Sequence, residues 1–147
     1  MLQTQTPNTI ATANPQSAPP TPGIYPGSGK ATLLRPGQYC YLLQNTLITA
    51  GQSSIAVQLE RTKSGFYYPF AFSLEISFSG APGSFEVDCQ VSDTDQDSFY
   101  VQNSKITSGL NASNVGRIEV TTAWALFARV SIPTLANPVS VTVKITR

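Results

Sequence analysis

The 147-residue chain contains no histidine. Without histidine, neither a Ser-His-Asp nor a Cys-His arrangement is available to activate a nucleophile, and the commonest protein ligand of zinc is missing. No glycine-rich loop opens a helix, so the sequence offers no cradle for the phosphates of a nucleotide. We therefore expect a protein that is not an enzyme and that carries no cofactor.

Charged side chains are also scarce. They make up 12 % of the residues, and nine basic against eight acidic side chains give a formal net charge of +1. The basic residues stand singly along the chain, so no stripe or strong field is present to attract nucleic acid or a membrane surface. The polar surface must consist of Ser, Thr, Asn and Gln, which repel a neighbouring copy only weakly. This composition is typical both of a protein that works in contact with other subunits and of a β protein with Thr-rich strand faces.

Cysteine and long apolar runs are equally limited. Cys40 and Cys89 are the only cysteines, and no stretch reaches the roughly 18 apolar residues of a membrane span. The first residues have neither the basic group nor the apolar run of a secretory signal. We expect two thiols in the core rather than a disulfide.

Residues 1–29 differ sharply from the rest of the chain, because they contain no charged side chain but six of the eleven prolines. Proline fixes φ and lacks an N–H, which predicts an extended polyproline II-like arm with a reach of roughly 80–90 Å. The arm has too little apolar surface for burial to compensate the conformational entropy that it would lose on becoming ordered, so we do not expect it to fold by itself. We therefore expect a neighbouring subunit to fix the arm, with Ile10, Ile24 and Tyr25 as its anchors.

From residue 30 onward, apolar and polar side chains alternate with the period of half-buried β-strands. The clearest runs begin at Phe70, Phe85 and Val139, and turn signals separate the strands, the last of them extending from Pro133 to Pro138. No window has the spacing and caps of a helix. Eight or nine short strands predict an all-β antiparallel sandwich or jelly roll over residues 30–147. The less regular predicted strands cover 38–48, 53–60, 98–102, 115–121 and 124–132.

Glu86 and Asp88 form the first carboxylate group with catalytic potential. They lie on the same face of one predicted strand, about 7 Å apart at Cα, which is within the range of an inverting glycosidase pair. Two acids on the polar face of an alternating strand are more commonly solvated, and we favour that interpretation.

Asp93, Asp95 and Asp97 form the second group, since alternate acids open the calcium loop of an EF-hand. The pattern then fails, with Ser98 in place of the glycine and Ser104 in place of the glutamate. An acidic hairpin loop is therefore favoured over a calcium site, and no metal is expected.

Aromatic side chains are concentrated at 66–70 and recur at Trp124. Tyr67, Tyr68 and Trp124 are suitable for a platform under a sugar ring, but aromatic residues in strands more commonly pack in a core or between subunits. We favour packing, and we expect Tyr67 and Tyr68 to contact a partner together with the arm residues.

The layout of the chain carries a resemblance. An uncharged arm rich in Pro, Thr and Gln precedes a small Thr-rich body, which ends in the strand pattern of residues 139–147; residues 115–120 and 127–130 add similar β segments. In this layout the chain resembles the small accessory virion proteins of tailed bacteriophages, especially the head decoration or cement proteins.

The resemblance implies a homo-oligomer, often a trimer, that is made in the host cytoplasm and lies on the capsid surface of the virion. There it would bridge subunits of the major capsid protein and resist the pressure of packaged DNA. It transfers no individual site residue. The hypotheses that follow are a capsid decoration or cement subunit, a phage tail, baseplate or fibre component that contacts other virion subunits, and, in a different class, a carbohydrate-binding sandwich.

Overall fold

A computed structural model describes residues 32–60 and 70–147, except for the side chain of Thr122. The predicted arm at 1–29 lies outside the described residues. In the described part of the chain, no helix is long and apolar enough to span a membrane, and Asp97–Phe99 forms one turn of 3-10 helix. The strands are β1 (Thr32–Leu34), β2 (Tyr39–Leu47), β3 (Gln52–Ser53), β4 (Val57–Leu59), β5 (Phe70–Phe78), β6 (Phe85–Ser92), β7 (Val101–Ile106), β8 (Val115–Ala123), β9 (Phe127–Leu135) and β10 (Ser140–Thr146).

The strands form two sheets that pack face to face. The first sheet has the order β1-β4-β9-β6-β7, with β3 also pairing with β9, and the second has the order β2-β10-β5-β8. The short strand β1 pairs with β4 in parallel, and the other pairings are antiparallel. The predicted all-β sandwich is confirmed.

The connectivity is that of a jelly roll. If β1 is set aside and β3 and β4 are counted as one interrupted strand, eight strands remain. The first of these pairs with the eighth, the second with the seventh, the third with the sixth and the fourth with the fifth. These pairs are β2 with β10, β4 with β9, β5 with β8 and β6 with β7. A long antiparallel hairpin that is rolled up in this way gives two sheets of four strands, which is the jelly-roll arrangement.

The core lies between the two sheets because alternate residues of each strand point inward. In β5 the apolar positions from Phe70 to Phe78 are buried and the intervening ones are exposed or half-buried. Cys40 and Cys89 also lie in this core, as predicted. Burial raises the pKa of each thiol to about 12, and the nearby charge of Asp88 adds to the effect at Cys89.

Several strand boundaries differ from the predictions. The predicted strand 53–60 is interrupted, since β3 ends at Ser53 and β4 covers Val57–Leu59. The segment 98–102 is not one strand, because residues 97–99 form the 3-10 turn and β7 begins at Val101. β9 continues through Pro133 to Leu135, where the sequence predicts a turn. The register shifts there between Glu86 and Asp88, and such an irregularity tolerates a residue without an N–H. The sequence also gave no indication of β1.

Candidate functional site

The connections between the strands lie at the two ends of the sandwich. At one end, which we call the turn end, residues 48–51, 79–84, 107–114 and 136–139 join the strands. Backbone hydrogen bonds close these connections; for example, the N–H of Ala136 donates to the carbonyl of Ser84 over 2.9 Å.

At the opposite end, which we call the loop end, the connections β4–β5, β6–β7 and β8–β9 begin and end beside one another. The N–H of Leu126 donates to the carbonyl of Ser92 over 3.1 Å, and the N–H of Leu59 donates to the carbonyl of Leu126 over 2.7 Å. Phe70, at the start of β5, pairs with Ala123 at the end of β8. The loop end therefore brings together residues that are distant in the sequence.

Exposed apolar side chains are concentrated at the loop end. Phe99, Val101 and Trp124 expose 59 %, 61 % and 57 % of their surface there, whereas the comparably exposed Leu47 lies next to the turn end. Large exposed apolar groups that lie near one another mark interaction sites more often than isolated ones do. The loop end is therefore the candidate functional site.

A buried arginine holds the β6–β7 connection of this site in place. Arg129, on the outer side of β9, is 4 % exposed. Its Nε donates to Oε1 of Gln90 over 2.9 Å and its Nη2 donates to Oδ1 of Asp97 over 2.7 Å. Its guanidinium carbon lies 4.0 Å from the centre of the Tyr100 ring, and the Tyr100 hydroxyl donates to Asp95 over 2.6 Å. Phe99 therefore stands on a turn that is fixed on both sides.

The three aspartates of the β6–β7 connection do not converge on a common point. Asp97 forms an ion pair with Arg129, and Asp95 accepts the hydroxyl of Tyr100. Across residues 32–60 and 70–147, no group of three or more His, Cys, Asp or Glu side chains is placed to hold a metal ion. The geometry therefore does not support the calcium alternative at Asp93, Asp95 and Asp97.

The sequence predicts that Glu86 and Asp88 both lie on a solvated strand face, and this prediction is wrong for Asp88. Glu86 forms an ion pair with Lys105 on the adjacent strand β7. Asp88 is only 7 % exposed, and its Oδ1 has no hydrogen-bond partner within the part of the chain that the structure describes. Burial raises the pKa of Asp88, the charge of Glu86 raises it further, and Lys105 opposes both effects. Asp88 is buried and Glu86 is held in an ion pair, so the two carboxyl groups are poorly placed to act as the acid and the base of a glycosidase.

We expect Asp88→Asn to stabilise the protein at neutral pH by about 1 kcal/mol, because it removes a buried charge with an unsatisfied oxygen. The pKa of Asp88 is higher in the folded than in the unfolded state, so its charge penalises folding above the folded pKa. That penalty disappears as the pH falls below the unfolded value. Urea unfolding of both proteins from pH 7 to pH 4 should show their difference shrinking. A constant difference over that range would contradict the assignment.

The predicted partner residues Ile10, Ile24, Tyr25, Tyr67 and Tyr68 lie outside the described residues. Of the three platform aromatics, the structure therefore describes Trp124, and it is exposed. Sequence reasoning missed Phe99 and Val101, because their alternation looks like that of an ordinary half-buried strand.

A groove opens near the edge strand β1, toward the loop end. It has a volume of about 380 Å³ and is lined by Leu33, Gln58, Leu59, Glu60 and Leu126. Leu59 is 1 % exposed and belongs to the core, whereas Leu33 and Leu126 are half-buried. Nε of Arg35 lies 3.0 Å from Oε2 of Glu60. The groove therefore has a mixed polar and apolar lining, with the ion pair of Arg35 and Glu60 beside it.

Comparisons with protein-family models, with curated proteins and with solved structures gave no match to this chain.

Proposed function

We propose that this chain is a structural subunit of a virion, a capsid decoration or cement protein that binds and stabilises the major capsid lattice. The observation that carries the proposal is the loop end, where a buried arginine fixes a connection that presents Phe99 to solvent. An exposed aromatic side chain on a rigid support is the usual form of a protein-binding anchor, because little conformational freedom is lost on docking. In this proposal the protein acts by attachment and not by catalysis.

The fold is compatible with this role. Jelly rolls form viral capsid proteins and lectins alike, so the fold alone does not select between the two. The charge content of 12 % favours a subunit that lies against other subunits, because copies with few charges repel one another weakly. The proposal includes a homo-oligomer, with a trimer favoured, on the capsid surface.

The proline-rich segment 1–29 supplies the second contact of the proposal. A weakly binding segment that is tethered to a docked body reaches an effective concentration of roughly millimolar. Prolines that are already extended lower the cost of ordering it. Ile10, Ile24 and Tyr25 are the proposed anchors within adjacent subunits.

Deletion of residues 1–29 should weaken attachment and leave the melting temperature of the body unchanged. Among the described residues the core cluster begins at Leu34, so this deletion leaves every described core side chain in place. Co-sedimentation with capsids assembled without this protein, from the phage whose genome encodes the chain, measures attachment. Calorimetry measures melting.

The matched variant keeps the length of the arm and replaces Ile10, Ile24 and Tyr25 by serine. It should lose attachment to a similar extent if these side chains are the anchors. Full attachment of the deletion variant would reject the arm's role. Binding of the intact protein to purified tails but not to capsids would move the proposal to a tail, baseplate or fibre component.

A carbohydrate-binding module is the second candidate, and the exposure of Trp124 favours it. Aromatic faces stack against sugar rings, and a loop at the end of a sandwich is a suitable place for such a platform. Glycan binding by the intact protein that is lost in Trp124→Ala would support this class. Trp124 covered by another subunit in the assembled particle would exclude it.

A further inference from the structure

We propose that β7 receives residues 8–14 from the arm of a second copy of this chain, which add to the first sheet as a further strand. This rests on the homo-oligomer of the proposed function, because the two partners are copies of one chain. The first sheet ends at β7, which pairs with β6 on one side. No strand of residues 32–60 or 70–147 pairs with its other side.

The strand β7 is open to solvent along most of its length. Four of its six residues are exposed: Val101, Gln102, Asn103 and Lys105. Val101 pairs with Val91 of the core, and paired residues of antiparallel strands project from the same face of a sheet. Val101 is therefore on the face that turns toward the core, yet 61 % of its surface is exposed. A strand added beside β7 would help to cover it.

The other outer strands are covered to a greater extent. None of the three residues of β1 is exposed, and three of the nine residues of β2 are. In β8, three of the eight residues whose burial is described are exposed. The start of β8 is also closed off, since a Cβ at Gly116 would lie 2.9 Å from the side chain of Leu110. Among the outer strands, β7 is therefore the one with most room for a partner.

The charge and the hydrogen-bonding groups of β7 are compatible with an added strand. Charged side chains commonly protect an outer strand from pairing, but Lys105 forms an ion pair with Glu86 on β6 and is thus directed over its own sheet. A register shift leaves Asn103 without a partner residue on β6. Such a shift increases the local twist, which restricts pairing to a short segment with small side chains.

Residues 8–14 meet these requirements. They are the longest stretch of the arm without proline, between Pro7 and Pro15, and each proline lacks the N–H that a β ladder needs. The seven residues match the six of β7 in length. They carry no charge, and Thr9, Ile10 and Thr12 are β-branched, a type that favours strands. The register that places Ile10 beside Val101 buries the largest apolar side chain of the segment.

The point at which the arm joins the body favours a second copy as the donor. Residues 1–31 precede β1, and β1 and β7 are the two outer strands of the first sheet. Copies that stand side by side therefore place the root of one arm next to β7 of the following copy. Residues 15–31 have a reach of roughly 50 Å at about 3.1 Å per residue. Repeated contacts between unlike surfaces close into a ring, such as the proposed trimer.

Disulfide trapping between two variants of the intact protein tests the contact. Gln102→Cys is mixed with Ala11→Cys or with Thr12→Cys, because adjacent strand residues project to opposite faces and one of them shares the face of Gln102. Mild oxidation of one of these mixtures should give a two-chain product. Leu47→Cys replaces Gln102→Cys in the control, since Leu47 is exposed next to the turn end, and it should give none. The native thiols are buried with a pKa of about 12, so they react slowly.

The mass of the intact protein in solution, from light scattering, is the second measurement. The wild type should exceed the 15.7 kDa of one chain. Ala11→Pro removes an N–H from the middle of the added strand and should weaken self-association by roughly 10-fold or more. Thr4→Pro is the matched control, because it makes the same kind of change in the arm outside residues 8–14, and its mass should equal that of the wild type.

The inference is overturned by a monomeric wild type, by equal masses of Ala11→Pro and the wild type, or by mixtures that yield no more two-chain product than the Leu47→Cys control. It is also overturned if the disulfide forms only within a chain that carries both cysteines, since the arm then binds its own body. None of these outcomes decides the virion proposal, because co-sedimentation measures attachment to capsids separately.

Discussion

Replacement of Arg129 by alanine is expected to lower the free energy of unfolding by about 3 kcal/mol, since one buried side chain makes several kinds of contact. Its guanidinium donates to Gln90 and Asp97 and stacks on Tyr100, and the side chain is buried. The Asp97 side chain is 60 % exposed. Solvent therefore screens its ion pair with Arg129, and this pair contributes only a small part of the expected loss.

Urea unfolding of the purified protein measures this loss. Arg129→Lys is the informative companion, because lysine keeps the charge but lacks the planar fork that donates to two partners and stacks, and it should recover less than half of the stability. Arg117→Ala is the control, since Arg117 makes its ion pairs on the exposed face of β8 and its loss should change stability by under ~0.5 kcal/mol. If Arg129→Ala and Arg117→Ala lower the free energy of unfolding equally, Arg129 does not hold the β6–β7 connection in place.

Arg147→Ala is expected to lower the free energy of unfolding by about 2 kcal/mol and to loosen β1. Nη1 of Arg147 donates to the carbonyls of Leu34 and Glu60 over 2.6 Å and 3.0 Å, and its guanidinium carbon lies 4.9 Å from the centre of the Phe70 ring. Without it, the carbonyl of Glu60 loses this donor, at a cost of about 1–3 kcal/mol for such a group, whereas the carbonyl of Leu34 still accepts from the N–H of Glu60 over 3.0 Å. Burial lowers the pKa of Arg147, and the charge of Glu60 opposes that effect.

Hydrogen exchange of Thr32–Leu34, followed by mass spectrometry, should accelerate in Arg147→Ala more than exchange in β5 does. Lys144→Ala is the control in the preceding strand β10, because the ammonium of Lys144 lies over the Tyr39 ring at 5.3 Å, whereas Arg147 donates to the carbonyls of Leu34 and Glu60. If exchange at β1 is unchanged in Arg147→Ala, the pairing of β1 with β4 is sufficient to hold β1, and the proposed role of Arg147 is wrong.

The fold class was predictable from the sequence because period-two alternation reports directly which side chains face a core. The runs that begin at Phe70, Phe85 and Val139 became β5, β6 and β10, three strands at the centre of the two sheets. The strand order was not predictable, since the alternation in β2 carries no information about a partner as distant as β10.

The candidate site was largely invisible in the sequence for the same reason. Arg129 occupies an ordinary outward position of an alternating strand, and its partner Asp97 is 32 residues away. Arg147 contacts Leu34, which is 113 residues away. Such pairings arise only when the sheets assemble. Asp88 was placed wrongly because alternation predicts which face a side chain is on, and not whether neighbouring side chains cover that face.

The pairing of β2 with β10 also determines when the molecule can fold. Residues 39–47 leave the ribosome about a hundred residues before their partners at 140–146, so the second sheet cannot close around β10 during most of translation. A fold dominated by such distant pairings forms slowly compared with one built from local contacts. Until residues 140–146 have been synthesised, β5 lacks one neighbour and β2 has none, and the nascent chain exposes strand edges that are prone to aggregation. Both sheets can therefore close only in a chain that includes residues 140–146.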